Sequence, residues 1–401
     1  MTIQVLEHQP IHAPRYKKEL EELAKRSQFL SFDRNGEVIA QNFTGVLRTK
    51  GGLTLEILPK VGDLEDKDKA QEILLRMLRA LPDFPIKSHL SAALAVKKNS
   101  LLEFFIWLFV QEVQRVVKKG LKHDYIQKEE NLRFLKGKLL IHEQLKRNYI
   151  HKERFFVRYD EYMVDRLENR AIKEALLIVK KLSKSFQNQK SISELLFVFD
   201  EVSRLKNPKA FKSHKLDRTM SYYDDAIAWT KLFLFGYSPQ VSGGEFGAWS
   251  LLFDMNRLFE RYVGVKLRNR CEKVKLQDQR YHLFDNPKKS KLIPDIVIDN
   301  NVIDNKIIVD TKWKNIKSFN DISPNDLHQL FAYAVKYENA TKAVLLFPSF
   351  GTKKPLEILK STICGREVEF RFEYFDLAND QPGEGEISTA LCGDSVKPDT
   401  I

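Results

Sequence analysis

The sequence predicts a multidomain α+β and α/β protein. A β-rich and helical N-terminal region precedes a C-terminal α/β core, in which a mixed sheet is flanked by helices. Three observations carry this reading. Apolar residues alternate along 43–58, as in a hairpin. Helical apolar spacing dominates the stretch from 63 to 235. Finally, two β-branched runs, Ile296-Val297-Ile298 and Ile307-Ile308-Val309, surround a polar Asp-Asn-Asn turn and lie between two helical patterns.

The 401 residues are enough for more than one core, and the formal net charge of +12 suits contact with a polyanion. Residues 1–14 carry no basic-then-apolar leader pattern. The most apolar run, 101–110, is about half a membrane span and contains Glu103. A cytoplasmic protein without membrane contact is therefore expected. Cys271, Cys364 and Cys392 are far apart in sequence, which suits a reducing compartment and provides no four-cysteine iron–sulfur set. No G-x-x-x-x-G-K-[ST] occurs, so the chain is not expected to be a P-loop NTPase.

Residues 1–62 read as β-rich, with a hairpin over 43–58 and Lys50-Gly51-Gly52 at its tip. Helices are expected over 69–81, ending at Pro82, and over 101–117, where apolar residues cover most of the circumference. The stretch 115–158 holds 13 Lys/Arg against 5 Asp/Glu, interleaved with Tyr125, Phe134, Tyr149, Phe155 and Phe156 around a Lys136-Gly137-Lys138 turn. Cations and rings together suit a nucleic-acid groove, although a solvated surface with rings in a small core is the commoner origin of such a pattern, and nothing fixes all these charges on one face. Residues 160–182 read as an amphipathic helix, acidic at its start and basic at its end, in keeping with the macrodipole. Further helices are expected over 191–204 and 222–235, joined by a cationic connection at 204–218. A glycine-containing linker at 236–247 then divides the chain into 1–240 (β-rich 1–62, helical and basic 63–240) and 241–377, with a loose tail at 378–401.

The chemistry gathers in 283–314. Asp295 follows Pro294 at the entrance of the first β-branched strand. Asp310 and Lys312, two residues apart on the second strand, point to one face, with Thr311 and Trp313 on the other. Two convergent carboxylates form a hard oxygen site suited to Mg²⁺, and a neighbouring ammonium can orient water or neutralise a phosphate. From spacing alone, an exposed strand face with an incidental Asp–Lys pair remains open. The helical pattern 250–263 contributes Glu260, and the helix expected at 324–337, capped by Ser323 and opened by Pro324, sets Gln329 and Tyr333 one turn apart.

Pro294-Asp295 and Asp310-Thr311-Lys312 together resemble the PD-(D/E)xK nuclease signature, and Gln329 with Tyr333 resembles the QxxxY element of RecB-like nucleases. Apart from the tail, the chain resembles the McrC family, the nuclease subunits of McrBC modification-dependent restriction systems. That likeness rests on 55–60 (LEILPK), Lys136-Gly137-Lys138, Asp165 with Asn169-Arg170, Phe253-Asp254-Met255-Asn256 leading into Phe259-Glu260, and the P-D…D-T-K core. Where the family often carries an arginine-glycine-arginine turn, this chain has Lys136-Gly137-Lys138.

The resemblance implies a PD-(D/E)xK restriction-endonuclease-like core over 241–377. Asp295, Asp310 and Glu260 would hold Mg²⁺, with Mn²⁺ as a substitute, and Lys312, Gln329 and Tyr333 would complete the catalytic set. It also implies that 1–240 docks onto a hexameric McrB-like AAA+ GTPase and stimulates it. The partner would read methylcytosine while this chain cuts double-stranded DNA. Two other classes are a stand-alone RecB-like or transposon-type nuclease and a non-catalytic adaptor of the AAA+ partner.

Overall fold

The computed structural model describes residues 1–81, 84–85, 100–236, 249–271, 273–300, 305–379 and 381–382. Most of the expected linker at 236–247, the residues joining the two β-branched strands at 301–304, and the tail beyond 382 lie outside them. The chain forms two compact units, Met1–Leu90 with Tyr237–Ile401, and Ser91–Gly236.

The first unit begins with β1 (Thr2–Leu6), α1 (Lys17–Arg26), β2 (Leu30–Phe32), β3 (Val38–Ala40), β4 (Phe43–Arg48), β5 (Thr54–Leu58) and α2 (Lys67–Arg79). The hairpin read from alternation is present as antiparallel β4 and β5. Asp66 caps α2, accepting from the backbone N–H groups of Asp68 and Lys69.

The Ser91–Gly236 unit contains α3 (Leu101–Lys119), β6 (Asp124–Leu132), β7 (Lys138–Leu139), α4 (Ile141–Arg147), β8 (Phe155–Met163), α5 (Leu167–Leu182), α6 (Phe186–Val198), α7 (Pro208–Phe211) and α8 (Asp224–Phe235). Helices α3, α5, α6 and α8 surround a core that includes Phe105, Phe109, Ile172, Leu176, Trp229 and Phe233. A three-stranded sheet, ordered β6-β8-β7, carries the basic stretch. The expected helix over 160–182 starts only at Leu167, because 155–163 is strand β8 paired along its length with β6. Gly137 is required in the Lys136-Gly137-Lys138 turn: its φ is 69°, and a Cβ would lie 2.5 Å from the Arg158 carbonyl oxygen.

The chain re-enters the first unit with β9 (Trp249–Asp254), α9 (Met255–Arg270), β10 (Val274–Leu276), β11 (His282–Asp285), β12 (Lys288–Lys291), β13 (Ile296–Asn300) and β14 (Asn305–Thr311). It continues through α10 (Pro324–Lys336), β15 (Ala340–Ser349), β16 (Glu357–Ile363), β17 (Arg366–Asp376) and β18 (Gln381–Pro382). Here the expectations are corrected twice. The helical pattern over 250–263 is a strand followed by a helix, since the short apolar run before Asp254 pairs with β4 as β9. The grouping of 1–240 is replaced as well, because β9 completes the sheet β1-β5-β4-β9 and so joins the first strands of the chain to its last third. Gly45 permits the pairing: its φ is 125°, and a Cβ there would stand 2.2 Å from the Leu251 carbonyl oxygen.

The second sheet is mixed, in the order β10-β13-β14-β15-β17-β16, with β18 on the end of β17. Strands β14, β15 and β17 run parallel, while β13 is antiparallel to β14 and β16 to β17. Leu330 and Ala334 of α10 pack on one face against Leu345, Phe347, Phe370 and Phe372. On the other face, Phe259 and Tyr262 of α9 meet the ring of Phe375 edge-on, and Phe259 also meets Trp313. Helices thus flank the sheet on both sides. Among the described residues no helix is long and apolar enough to cross a membrane.

Candidate active site

Antiparallel pairing builds the site. The register that sets Ile296 against Val309 carries Asp295 opposite Asp310 at the same end of the sheet. Asp295 Oδ2 accepts from both the backbone N–H and the hydroxyl of Thr311, each at 2.7 Å, while no hydrogen bond engages its Oδ1 among the described residues. Burial raises the Asp295 carboxyl above its usual range, against the two Thr311 bonds and the Lys312 charge, which lower it.

Asp310 is 1% exposed. Lys312 Nζ lies 2.7 Å from its Oδ2, and its Oδ1 is buried without a hydrogen-bond partner among the described residues. Burial, then repulsion by Asp295, pushes the carboxyl up to about 6 despite Lys312. The lysine shows the converse. Burial acts to lower its ammonium, and Asp310, Asp295 and Asp326 outweigh burial, so its pKa is raised and the charge is kept.

Helix α10 supplies a hydrogen-bonded chain into this pair. Lys312 Nζ donates to Gln329 Oε1 at 3.0 Å, Gln329 Nε2 donates to Tyr333 Oη at 2.7 Å, and Tyr333 Oη donates to the Ile293 carbonyl at 3.0 Å. The i, i+4 spacing that aligns Gln329 with Tyr333 therefore links the lysine to the backbone just ahead of Asp295. Burial pushes the Tyr333 hydroxyl up to about 12, with Asp310 adding to the effect, so it stays a neutral donor.

Glu260 approaches from α9. Burial, then the charge of Asp295, pushes its carboxyl up to about 7, and Gln277 Nε2 donates to its Oε1 at 2.9 Å. The six residues singled out from sequence are thus brought to one end of one sheet. Even so, no three His, Cys, Asp or Glu side chains among the described residues form a ready-made metal cage. Glu260 feels the two aspartates electrostatically without standing in a cluster with them.

Several contributors carry no signal in the sequence. Thr311, assigned to the face opposite Asp310, orients Asp295 through its hydroxyl and N–H. Gln277 holds left-handed backbone at φ 48°, donates its N–H to the Asp295 carbonyl and its side chain to Glu260. Asp326 is held by Lys314 and acts on Lys312 through its charge. Glu7 accepts from Trp313 Nε1 at 3.0 Å across 306 positions of sequence. Such pairings depend on tertiary proximity that no local pattern encodes.

A family model described as "McrBC 5-methylcytosine restriction system component" matches residues 38–348. The chain belongs to this McrBC family. A solved structure, the refined half-complex from a tetradecameric assembly of Thermococcus gammatolerans McrB AAA+ hexamers with bound McrC, contains a chain similar in fold. The likeness has a TM-score of 0.71 at 23% identity, over 94% of this chain and 95% of that one. The cryo-EM structure of the Thermococcus gammatolerans McrBC complex also matches, at TM-score 0.51 and 25% identity, over 67% of this chain and 88% of that one. No curated protein matches.

Asp165, Asn169 and Arg170 lie within the matched span. Arg170 grips Asp165 with two bonds of 2.8 and 2.7 Å, and Asp165 also accepts from the N–H and hydroxyl of Ser203. Asn169 bonds the carbonyls of Lys122 and Val164 and accepts from Tyr223. In this chain these residues staple the Ser91–Gly236 unit together.

Proposed function

We propose that this chain is the metal-dependent endonuclease subunit of a McrBC-type restriction complex. It would cut methylated foreign DNA together with a GTP-hydrolysing McrB-like AAA+ hexamer, whose turnover it stimulates. The mixed sheet with Asp295, Asp310 and Lys312 at one end is read as a PD-(D/E)xK core. The observation that carries this reading is Asp310, a buried carboxylate with one oxygen unpartnered, beside a second carboxylate whose Oδ1 is free of hydrogen bonds among the described residues. Lys312 meets only one oxygen of Asp310, and leaving the other buried and unsatisfied is costly unless a further cation or donor meets it.

The donor set fits Mg²⁺, which takes one or two protein carboxylates and fills its remaining positions with water and phosphate oxygens. Asp295 and Asp310 would hold it, with Glu260 as an outlying third carboxylate and Mn²⁺ as a substitute. Bound there, the cation would supply Lewis-acid polarisation of the phosphodiester and acidify water. Lys312, kept charged by Asp310, would neutralise the developing phosphate charge or orient the attacking water. Gln329 and Tyr333 would keep the ammonium in place, and Thr311 would turn Asp295 so that one oxygen faces the site.

The AAA+ partner is supported by family membership and by likeness to structures described as McrBC complexes. The acidic site itself weighs against a pure adaptor. The test pairs plasmid cleavage with GTP hydrolysis, using the full chain and its cognate AAA+ GTPase with Mg²⁺. The Asp295→Ala, Asp310→Ala double variant should stimulate GTP turnover and cut nothing. Cleavage by that variant at the wild-type rate overturns the nuclease assignment. Methylation-independent cutting by the chain without its partner would instead favour a stand-alone nuclease.

A further inference from the structure

The residues leading into Asp295 form a feature that the site does not use. Strands β11 and β12 make a two-stranded hairpin of their own, with His282 opposite Lys291, Phe284 opposite Lys289 and Asp285 opposite Lys288. Every residue of β12 is exposed, and Phe284 is 58% exposed. Lys288, Lys289 and Lys291 form no ion pair among the described residues, and Lys291 Nζ donates only to the neutral Gln279, at 2.9 Å. The hairpin's acidic residue, Asp285, is already bonded to Lys336 of α10 at 2.7 Å.

The basic stretch 115–158 pairs five of its thirteen cations. Lys128 and Lys136 share Glu161, Arg158 pairs with Glu129, Arg147 with Glu143, and Arg115 with Glu112 and Asp225. Its other eight cations form no ion pair among the described residues. What sets the lysines of β12 apart is their place, since the strand runs directly into Asp295.

The hairpin is firmly tied to the site. Leu292 is buried with Val297, Ile308 and Tyr333, and the Ile293 carbonyl accepts from Tyr333. Lys291 precedes Asp295 by four residues, roughly 13 Å of extended chain, the axial length of about four base pairs.

We propose that the β11–β12 hairpin is a duplex-DNA contact, with Lys288, Lys289 and Lys291 on backbone phosphates beside the scissile bond and Phe284 against the sugars or bases. This rests on the nuclease reading above for the placement of the scissile bond and on the hairpin's own charge for the binding. Phosphate contacts carry no sequence information, so the contact would hold DNA irrespective of methylation.

The experiment measures affinity of the full-length Asp310→Ala protein for an unmethylated 20-base-pair duplex by fluorescence anisotropy, in EDTA, across a salt series. Adding Lys288→Ala, Lys289→Ala and Lys291→Ala should weaken binding at least about tenfold at low salt. It should also flatten the log affinity against log salt slope by about 2 to 3, since each neutralised phosphate contributes about 0.9. Phe284→Ala should weaken binding and leave the slope unchanged. Should the triple variant misfold, the single Lys289→Glu carries the test, with a loss of affinity expected. An unchanged slope and affinity overturn the proposal. So does a slope lost only when Lys206, Lys209 and Lys212 are replaced instead, which would move the contact into the Ser91–Gly236 unit. Because binding is read without metal or cleavage, failure of the nuclease reading would appear in the plasmid assay and leave this result standing.

Discussion

Asp165 and Asp310 are both carboxylates beside a cation, and they are held in opposite ways. Arg170 and Ser203 provide four hydrogen bonds to Asp165, which, against the opposing effect of burial, hold its carboxyl down at about 2. Asp310 has Lys312 at one oxygen and nothing at the other among the described residues, and burial pushes it up to about 6. The first arrangement spends its bonding capacity on the fold. The second leaves capacity for a ligand, which is what a metal site requires before it is filled.

The sharpest way to break the comparison is to remove the charge at Asp310. Asp310→Asn should reduce Mg²⁺-dependent plasmid cleavage by about 10³-fold or more, the upper range for one electrostatic contributor. Without metal, loss of the Lys312 ion pair opposes relief of the repulsion from Asp295, so the thermal midpoint should change little, while any rise caused by Mg²⁺ should be lost. Equal cleavage, or a midpoint lowered in metal-free buffer, would place Asp310 with Asp165 among structural groups.

Next in size is Lys312→Ala, which should cost about 10²-fold in cleavage. On the proposed function the lysine acts on phosphate or water, so any thermal stabilisation by Mg²⁺ should persist. Lys312→Arg should restore only part of the rate, since a planar fork does not replace a compact ammonium.

Asp165→Ala tests the other side. It should destabilise the protein by about 2 kcal/mol in urea unfolding, through loss of a hydrogen-bonded ion pair. Cleavage at low temperature should be retained. The sign of the pH effect follows from the depressed pKa. Its stabilisation is present above the unfolded value of 3.8 and is lost as pH falls toward 2, so wild type and variant should converge in acid.

How much of this was legible in the sequence depended on the range of the interaction. Strand alternation places Asp310 and Lys312 together, the hairpin brings Asp295 opposite, and helical spacing aligns Gln329 with Tyr333. All of these are short-range. Strand β9 differs from the helical reading because Leu251–Phe253 is a short apolar run without period, and only the distant edge of β4 decides its conformation. Nor does any local pattern join Glu7 to Trp313 or Gln277 to Glu260.

Glu7 offers a pH test opposite in sign to Asp165. Burial, opposed by its bonds to Trp313 and Lys60, pushes its carboxyl from 4.5 up to about 7. A raised carboxyl favours the fold when protonated, so its penalty grows as pH rises from 4.5 to 7. Glu7→Gln keeps an acceptor for Trp313 and removes the charge. It should be nearly neutral at pH 4.5 and stabilising by on the order of 1–2 kcal/mol at pH 8 in urea unfolding. A pH-independent difference would mean that Glu7 does not titrate in this range.

The smallest expected effect belongs to Tyr333. Its hydroxyl accepts from Gln329 and donates to Ile293, so in the proposed reaction it would act only by steadying Gln329, which in turn bonds Lys312. Tyr333→Phe keeps the buried ring among Leu292, Val297, Ile308 and Tyr337, and the fold should survive. The Ile293 carbonyl and the Gln329 amide lose their partner, and the amide can turn to water. The lysine should then sample more positions without leaving Asp310, its ion-pair partner at 2.7 Å. A kcat loss of about 3- to 10-fold is expected, on the scale of about 1 kcal/mol for one hydrogen bond, with Mg²⁺ affinity unchanged. Combined with Lys312→Ala, Tyr333→Phe should cost little more, since the relay would have nothing left to position. Additive losses in the double variant would instead show that Tyr333 acts on DNA or metal directly.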